Sequence, residues 1–221
     1  MSGLFIVIDG NDGSGKSTLI ESLYESLQEK GLNVVKTKEP GGTEIANEIR
    51  SILLKNREEE VSYKTEMLLF MASRQQHIEQ IIKPALDEGK IVLCDRWESS
   101  TYAYQAYGHS DRIDMFKNLR NSIGQFNPDI SFILDVDLDV SKERRSIRGE
   151  EYDRIESKGD HFFLNVKKGL LEYATTISPH NSQIINANQD KESILFDIEN
   201  NTKLLYLLNE LKNENSYDKK I

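Results

Sequence analysis

Only one cysteine occurs in the 221 residues, Cys94, so no disulfide can close within the chain and a disulfide framework is excluded as a source of stability. Its place at the end of Ile91-Val92-Leu93-Cys94 predicts a small buried side chain in a reducing compartment. No apolar run approaches the roughly 18 residues that a membrane span needs. A basic N-terminal region followed by an apolar core is also missing, so a soluble, cytoplasmic protein is expected. Basic residues are scarce relative to acidic ones: 28 Lys and Arg against 37 Asp and Glu give a formal net charge of −9. A surface of that sign argues against nucleic acid as a partner, while local basic clusters remain able to hold a small anion. Repeats and long linkers are absent as well, and the length suits one domain.

Against these absences stands a dense motif near the start. Ile8-Asp9-Gly10-Asn11-Asp12-Gly13-Ser14-Gly15-Lys16-Ser17-Thr18 follows the strand-like run Leu4-Phe5-Ile6-Val7-Ile8 and leads into a helical pattern through Leu19, Ile20 and Leu23. The spacing fits G-x-x-x-x-G-K-[ST] in the strand-loop-helix context that a phosphate-binding loop requires. Its glycines let backbone N–H groups turn in around phosphate oxygens, Lys16 can reach the β and γ phosphates, and Ser17 offers a hydroxyl to Mg²⁺. An ordinary glycine-rich turn would not need this context.

Runs suited to buried parallel strands fall at 4–8, 34–35, 91–94, 130–136 and 184–185, separated mostly by helical patterns. Helices are expected over 16–30, 44–54, 64–88, 100–107, 111–125, 140–149, 161–178 and 191–212. A βαβ series of this kind predicts an α/β fold with a five-stranded parallel sheet flanked by helices. Residues 1–212 are read as the single domain, and 213–221, without apolar periodicity, as a disordered tail.

Four further clusters bear on chemistry. Asp95-Arg96 follows the strand at 91–94, where the carboxyl ends of parallel strands face the ligand crevice. Asp95 can hold Mg²⁺ and Arg96 can fork onto an oxyanion; the alternative is a local surface pair. Lys38-Glu39-Pro40-Gly41-Gly42-Thr43 specifies an irregular turn with Thr43 able to cap a helix, and by itself is only a turn. Phe70, Arg74 and His77 lie at spacings of four and three on neighbouring parts of one helix face; they could hold a flat heterocycle, although a core Phe beside a surface Arg is the commoner pattern. Arg144, Arg145, Arg148 and Arg154 sit in a stretch where Gly149 can end a helix. That stretch is either a mobile loop that closes over phosphates or a solvated charged helix.

Taken in order, these pieces resemble the thymidylate kinase family, and the resemblance runs from Phe5 to about Ile194. It is carried by DGNDGSGKST at 9–18, KEPGGTEIANEIR at 38–50, LLFMASRQQH at 68–77, DRWESSTYAYQ at 95–105, PDISFILDVD at 128–137, RGEEYDRIESKGDHFF at 148–163 and INANQDKESI at 185–194. It implies the P-loop nucleoside-monophosphate kinase fold with a lid at about 144–160, a homodimer, and transfer of the ATP γ-phosphoryl group to dTMP. ATP would be held by Gly10, Asn11, Asp12, Gly13, Ser14, Gly15, Lys16, Ser17 and Thr18 with Arg144 and Arg145. The metal would be held through Ser17 and Asp95.

For the acceptor, the resemblance implies that Asp12 faces the sugar 3′ region and that Phe70 stacks on thymine. Arg74 would bond an exocyclic oxygen of the base, and Thr101 would lie near its N3 edge. Arg96 would bind the monophosphate with Arg50 as a further contact, Tyr104 would close the sugar 2′ position, and Glu39 and Ser100 would complete the acceptor set. Because Gly13 stands where one branch of the family carries a loop arginine, the chain resembles the bacterial type whose basic lid supplies transfer-stage charge, with Arg148 and Arg154 as candidates. Trp97 replaces the usual Tyr or Phe, Lys38 a common Arg, and Glu150-Glu151-Tyr152 lengthens the lid by one residue. A P-loop switch protein would instead need N-K-x-D and D-x-x-G; Asp95-Arg96-Trp97-Glu98 stands at the latter place.

Overall fold

The computed structural model describes residues 3–148 and 152–218. Five strands, β1 (Leu4–Gly10), β2 (Val34–Lys38), β3 (Ile91–Asp95), β4 (Ile130–Asp135) and β5 (Ser182–Asn186), form one parallel sheet in the order β2-β3-β1-β4-β5. Every residue of β1 is buried, as expected of a central strand covered on both faces. Its side chains alternate between two cores. Leu4, Ile6 and Ile8 join Leu19, Ile20 and Leu23 of α1 (Lys16–Glu29) on one face, while Phe5 and Val7 pack with Ile78, Ile82 and Trp97 on the other. Each such fully buried side chain contributes on the order of 1.5–3 kcal/mol, so the loop that follows β1 hangs from the firmest part of the molecule.

The helices cover the sheet in the expected sequence: α2 (Glu44–Leu54), α3 (Tyr63–His77), α4 (Lys83–Asp87), α5 (Glu98–Thr101), α6 (Ser110–Ser122), α7 (Leu138–Arg148), α8 (Asp160–Glu172), α9 (Lys191–Glu199) and α10 (Thr202–Asp218). Wide π-helical turns at Ile78–Ile82, Tyr102–Ala106 and Tyr173–Ile177 extend α3, α5 and α8. Thr43 caps α2 by accepting from Ala46 N at 3.1 Å. The expected single helix over 191–212 is two, broken at Asn200-Asn201; the Asn201 carboxamide oxygen accepts from Leu204 N at 3.1 Å and so starts a new helix. The second of these, α10, runs to Asp218, beyond the expected end at Lys212. Of the expected lid, 149–151 lie outside the described residues, as do 219–221 of the expected tail.

Register decides what meets at the crevice. Ile8 and Lys38 are both paired with Asp95, so the next residue on each strand's path, Asp9, Glu39 and Arg96, leaves the sheet at one level. The ladder continues there: Glu39 N donates to Asp95 O at 2.8 Å and Arg96 N to Ile8 O at 2.9 Å. Because β1 and β3 are neighbours, the P-loop and the Asp-Arg pair emerge side by side at the carboxyl end of the sheet.

Candidate active site

Lys16 closes the P-loop from within. Its Nζ donates to Gly10 O at 2.9 Å and Asn11 O at 2.8 Å, so the loop curves around the lysine's own ammonium. Burial, followed by the nearby Arg96 charge, lowers the Lys16 pKa from its ordinary value. Gly13 has φ +83°, and a Cβ there would stand 2.3 Å from Ser141 O; the loop passes too close to α7 for any side chain. Asn11 Nδ2 donates to Phe163 O at 3.2 Å, fastening the loop to α8. Ser17 and Thr18 are exposed at the N-terminus of α1 and line the cavity above it, where the helix dipole favours an anion.

Beside the loop, Arg96 is the one non-glycine residue with positive φ (69°) among the described residues. The conformation is held by what the side chain reaches: Nη1 donates to Gly10 O (3.0 Å), Ser100 Oγ (3.0 Å) and Tyr104 OH (3.3 Å), and Nη2 to Asp12 Oδ1. Tyr104 OH donates to the other Asp12 oxygen at 2.9 Å. Burial pushes the Asp12 pKa up, but the charges of Arg96 and Lys16 outweigh it and leave the carboxyl below its ordinary value. Burial works against the Arg96 charge too, and Asp12 and its neighbours more than restore it. Burial raises the Tyr104 hydroxyl, which keeps its proton on the Asp12 bond.

Under this pair lies Asp9, fully buried, a residue that the motif spacing alone did not single out. It accepts from Gly10 N (2.7 Å), Ser100 N (2.9 Å), Ser100 Oγ (2.7 Å), Trp97 N (3.3 Å) and Ser99 Oγ. One carboxylate thereby joins the P-loop to the N-terminus of α5, and its place at the carboxyl end of the central strand is the signal that marks it.

At the far end, Phe70 of α3 is half-buried in the cavity wall with Pro40, Arg50 and Gln105. Arg50 Nη1 donates to Pro40 O at 2.9 Å, across the Glu39-Pro40 cis peptide. Arg74 is buried one layer behind. Its Nε donates to Glu39 Oε2 at 2.8 Å, its Nη2 lies 2.7 Å from the same oxygen and 3.0 Å from Thr101 Oγ1, and its guanidinium covers the Trp97 ring at 5.0 Å. Glu39 lines the cavity, whereas Arg74 and Thr101 do not. The acceptor candidates are thus brought together in two tiers.

The four arginines of the expected lid separate. Arg144 lines the cavity and is held by Ala187 O at 2.9 Å and Gln189 O at 3.1 Å. Arg145 is buried against the Phe163 ring at 4.4 Å, behind Gly13. Arg154 faces away, donating to Leu53 O at 2.9 Å and Glu66 Oε2 at 2.8 Å. The Arg148 side chain lies outside the described residues.

No group of three or more His, Cys, Asp or Glu suited to a metal occurs among the described residues. Mg²⁺ at a phosphate site needs only one or two protein oxygens, the rest coming from phosphate and water. Ser17 and Asp95 fit that demand: both line the cavity, and Asp95 Oδ1 is buried without a hydrogen-bond partner.

One cavity of about 620 Å³ is lined by Leu19, Lys191 and Ile194, by the P-loop, by Asp95 and Arg96, and by Phe70. A family model for thymidylate kinase matches residues 8–198. The chain belongs to the thymidylate kinase family. It is 40% identical over 200 residues to a thymidylate kinase of Ectopseudomonas mendocina, covering 90% of this chain and 94% of that one. A thymidylate kinase of Exiguobacterium sibiricum is 40% identical over 195 residues, with 88% and 91% covered. The crystal structure of a thymidylate kinase from Ehrlichia chaffeensis superposes with a TM-score of 0.70 at 30% identity, over 90% of this chain and 97% of that one. The five-stranded parallel sheet is therefore the P-loop nucleoside-monophosphate kinase fold.

Proposed function

We infer that this cavity transfers the γ-phosphoryl group of ATP to dTMP, giving dTDP and ADP and feeding dTTP synthesis. The observation that carries the reading is that Lys16, the Asp12–Arg96 pair and Phe70 all line one and the same cavity. In this arrangement the loop from Gly10 to Thr18 cradles the donor phosphates, and Leu19, Lys191 and Ile194 with Arg144 bound the donor's far end. Arg96 and Arg50 take the acceptor monophosphate. Asp12 and Tyr104 flank the sugar, and Phe70 offers its face to the base with Arg74 and Thr101 behind.

An oxygen of the acceptor phosphate attacks the γ phosphorus, and the bond to the β–γ bridging oxygen breaks as ADP leaves. No protein nucleophile is needed, because the work lies in positioning two anions and neutralising their charge. Lys16, Arg96 and Arg144 supply positive charge from this chain, and Arg148 is a further candidate; Arg145, behind Gly13, and Arg154, held by Leu53 and Glu66, would have to leave these positions to join them. Mg²⁺, held through Ser17 and Asp95, would neutralise charge on the donor phosphates.

The apolar side chains Ile45 (52% exposed), Ile52 (46%) and Leu68 (50%) stand on α2 and α3, which pack on each other, and support a homodimer through this face. Among the described residues no helix is long and apolar enough to cross a membrane; a cytoplasmic location is part of the same reading. ADP release measured across dTMP, AMP and CMP tests the reaction: dTMP is expected to be used far faster, and equal use of all three would contradict the reading.

A further inference from the structure

The buried polar contacts of α3 do not end at Arg74. One turn on, His77 is fully buried and both ring nitrogens are engaged: Nδ1 lies 3.2 Å from Glu39 Oε1, and Nε2 lies 2.6 Å from Thr37 Oγ1. A carboxylate only accepts, so Nδ1 carries a hydrogen and donates to Glu39, while the Thr37 hydroxyl can satisfy Nε2 in either ring state. The other oxygen of Glu39 holds Arg74 through Nε and Nη2, and Nη2 also reaches Thr101. Arg74 Nη1 is left with Met71 Sδ at 3.7 Å, a weak acceptor.

The ring is fixed by backbone as well. Gly42, at φ +90°, crosses it so closely that a Cβ would stand 2.6 Å from both Cδ2 and Nε2 of His77. An apolar side chain would fill this space without any buried polar group to satisfy; an imidazole bonded at both nitrogens does more than fill it.

We propose that His77 is a positioning residue for recognition of the acceptor base: by donating to Glu39 Oε1 it sets the carboxylate so that Oε2 fixes the Arg74 guanidinium behind the cavity wall, with Nη1, held only by the weak acceptor Met71 Sδ, as the group that a base carbonyl oxygen entering past Glu39 would engage. The inference rests on the reading of Arg74 as the base-contacting arginine. His77 itself touches no substrate and acts through Glu39 and Arg74.

Two isosteres separate this role from simple support of the core. The amide nitrogen of asparagine falls near the place of Nδ1, and that of glutamine near Nε2. His77→Asn therefore keeps the Glu39 bond and loses Thr37; His77→Gln does the reverse. Each loses one hydrogen bond, so a purely structural role makes them alike. The expected result is a KM for dTMP raised about tenfold in His77→Gln and within about twofold of wild type in His77→Asn, with kcat and the KM for ATP little changed in both. Equal KM values for dTMP in the two variants, or an effect that falls on ATP instead, would overturn the proposal. Should His77→Gln fold poorly, Thr37→Val removes only the Nε2 partner, and a tenfold rise in its KM for dTMP would equally overturn it. Arg74→Ala is measured alongside. If it leaves the KM for dTMP unchanged, the base-contact reading fails; if it raises that KM while His77→Gln does not, only the role of His77 fails.

Discussion

The proposed donor and acceptor halves of the cavity are built by different means. The donor half is one contiguous stretch, Gly10 to Thr18, whose shape is set by glycines, by Lys16 bonded to two loop carbonyls, and by the helix that follows. The proposed acceptor half is assembled from residues far apart in the chain: Arg96 and Tyr104, which both bond Asp12 of the loop, and Glu39 with Arg74, His77 and Thr101. A backbone-built site depends on local conformation. A side-chain network depends on every partner, since removing one leaves another buried and unsatisfied. Damage to the donor half should therefore appear as lost chemistry, and damage to the acceptor half as lost recognition together with lost stability.

The largest effect is expected at Lys16, where Lys16→Ala should lower kcat/KM on the order of a thousandfold with a small change in stability, because a transition-state charge is lost. Steady-state kinetics that stay within tenfold of wild type would break the comparison at its donor side. Arg96→Ala should lower kcat/KM about a hundredfold and also cost about 2 kcal/mol of stability, because Asp12 keeps its charge in a largely buried place. Urea unfolding of Arg96→Ala and of Arg96→Ala/Asp12→Ala sharpens this: the double variant should recover part of the loss.

A smaller effect belongs to Tyr104. It packs between Asp12, Arg96 and Phe162, and in the proposed role of closing the sugar 2′ position it would leave no partner for a ribose hydroxyl, so Tyr104→Ala should raise the preference for ribothymidine monophosphate relative to dTMP about tenfold. Tyr102, buried among Phe116 and Tyr173, is the control: Tyr102→Ala should lower the melting temperature and leave that ratio unchanged. The smallest effect is in the acid range. With its folded pKa below 3.8, Asp12 contributes stability that is present above 3.8 and lost as pH falls through the lower folded value. The stability gap between wild type and Asp12→Asn should thus narrow below that pH, and a constant gap would remove the Asp12–Arg96 charge pair from the account.

What the sequence revealed follows the same division. The P-loop was legible because all its determinants are neighbours, and the bounds of α2 because Thr43 offers a cap at its start. Strand β2 was seen only as Val34-Val35, since Lys36, Thr37 and Lys38 lie on a sheet edge with no apolar signal. The break at Asn200-Asn201 was missed because the apolar pattern passes over it, although asparagine is itself a cap signal. Asp9 stayed hidden because its role requires knowing that β1 and β3 are neighbours. The helical spacing placed Arg74 near Phe70, but that Arg74 lies behind Glu39, 35 residues away in sequence, could come only from the register that brings the end of β2 to the end of β3.

The separation of the two halves is tested most directly at Arg74, whose oxygen partners, Glu39 and Thr101, are both acceptor-side candidates. Calorimetric titration of Arg74→Ala with dTMP and, separately, with a non-hydrolysable ATP analogue reads both halves in one protein. The prediction is a Kd for dTMP weakened about tenfold or more with the analogue's Kd within about twofold of wild type; parallel weakening of both, or an unchanged Kd for dTMP, would contradict it.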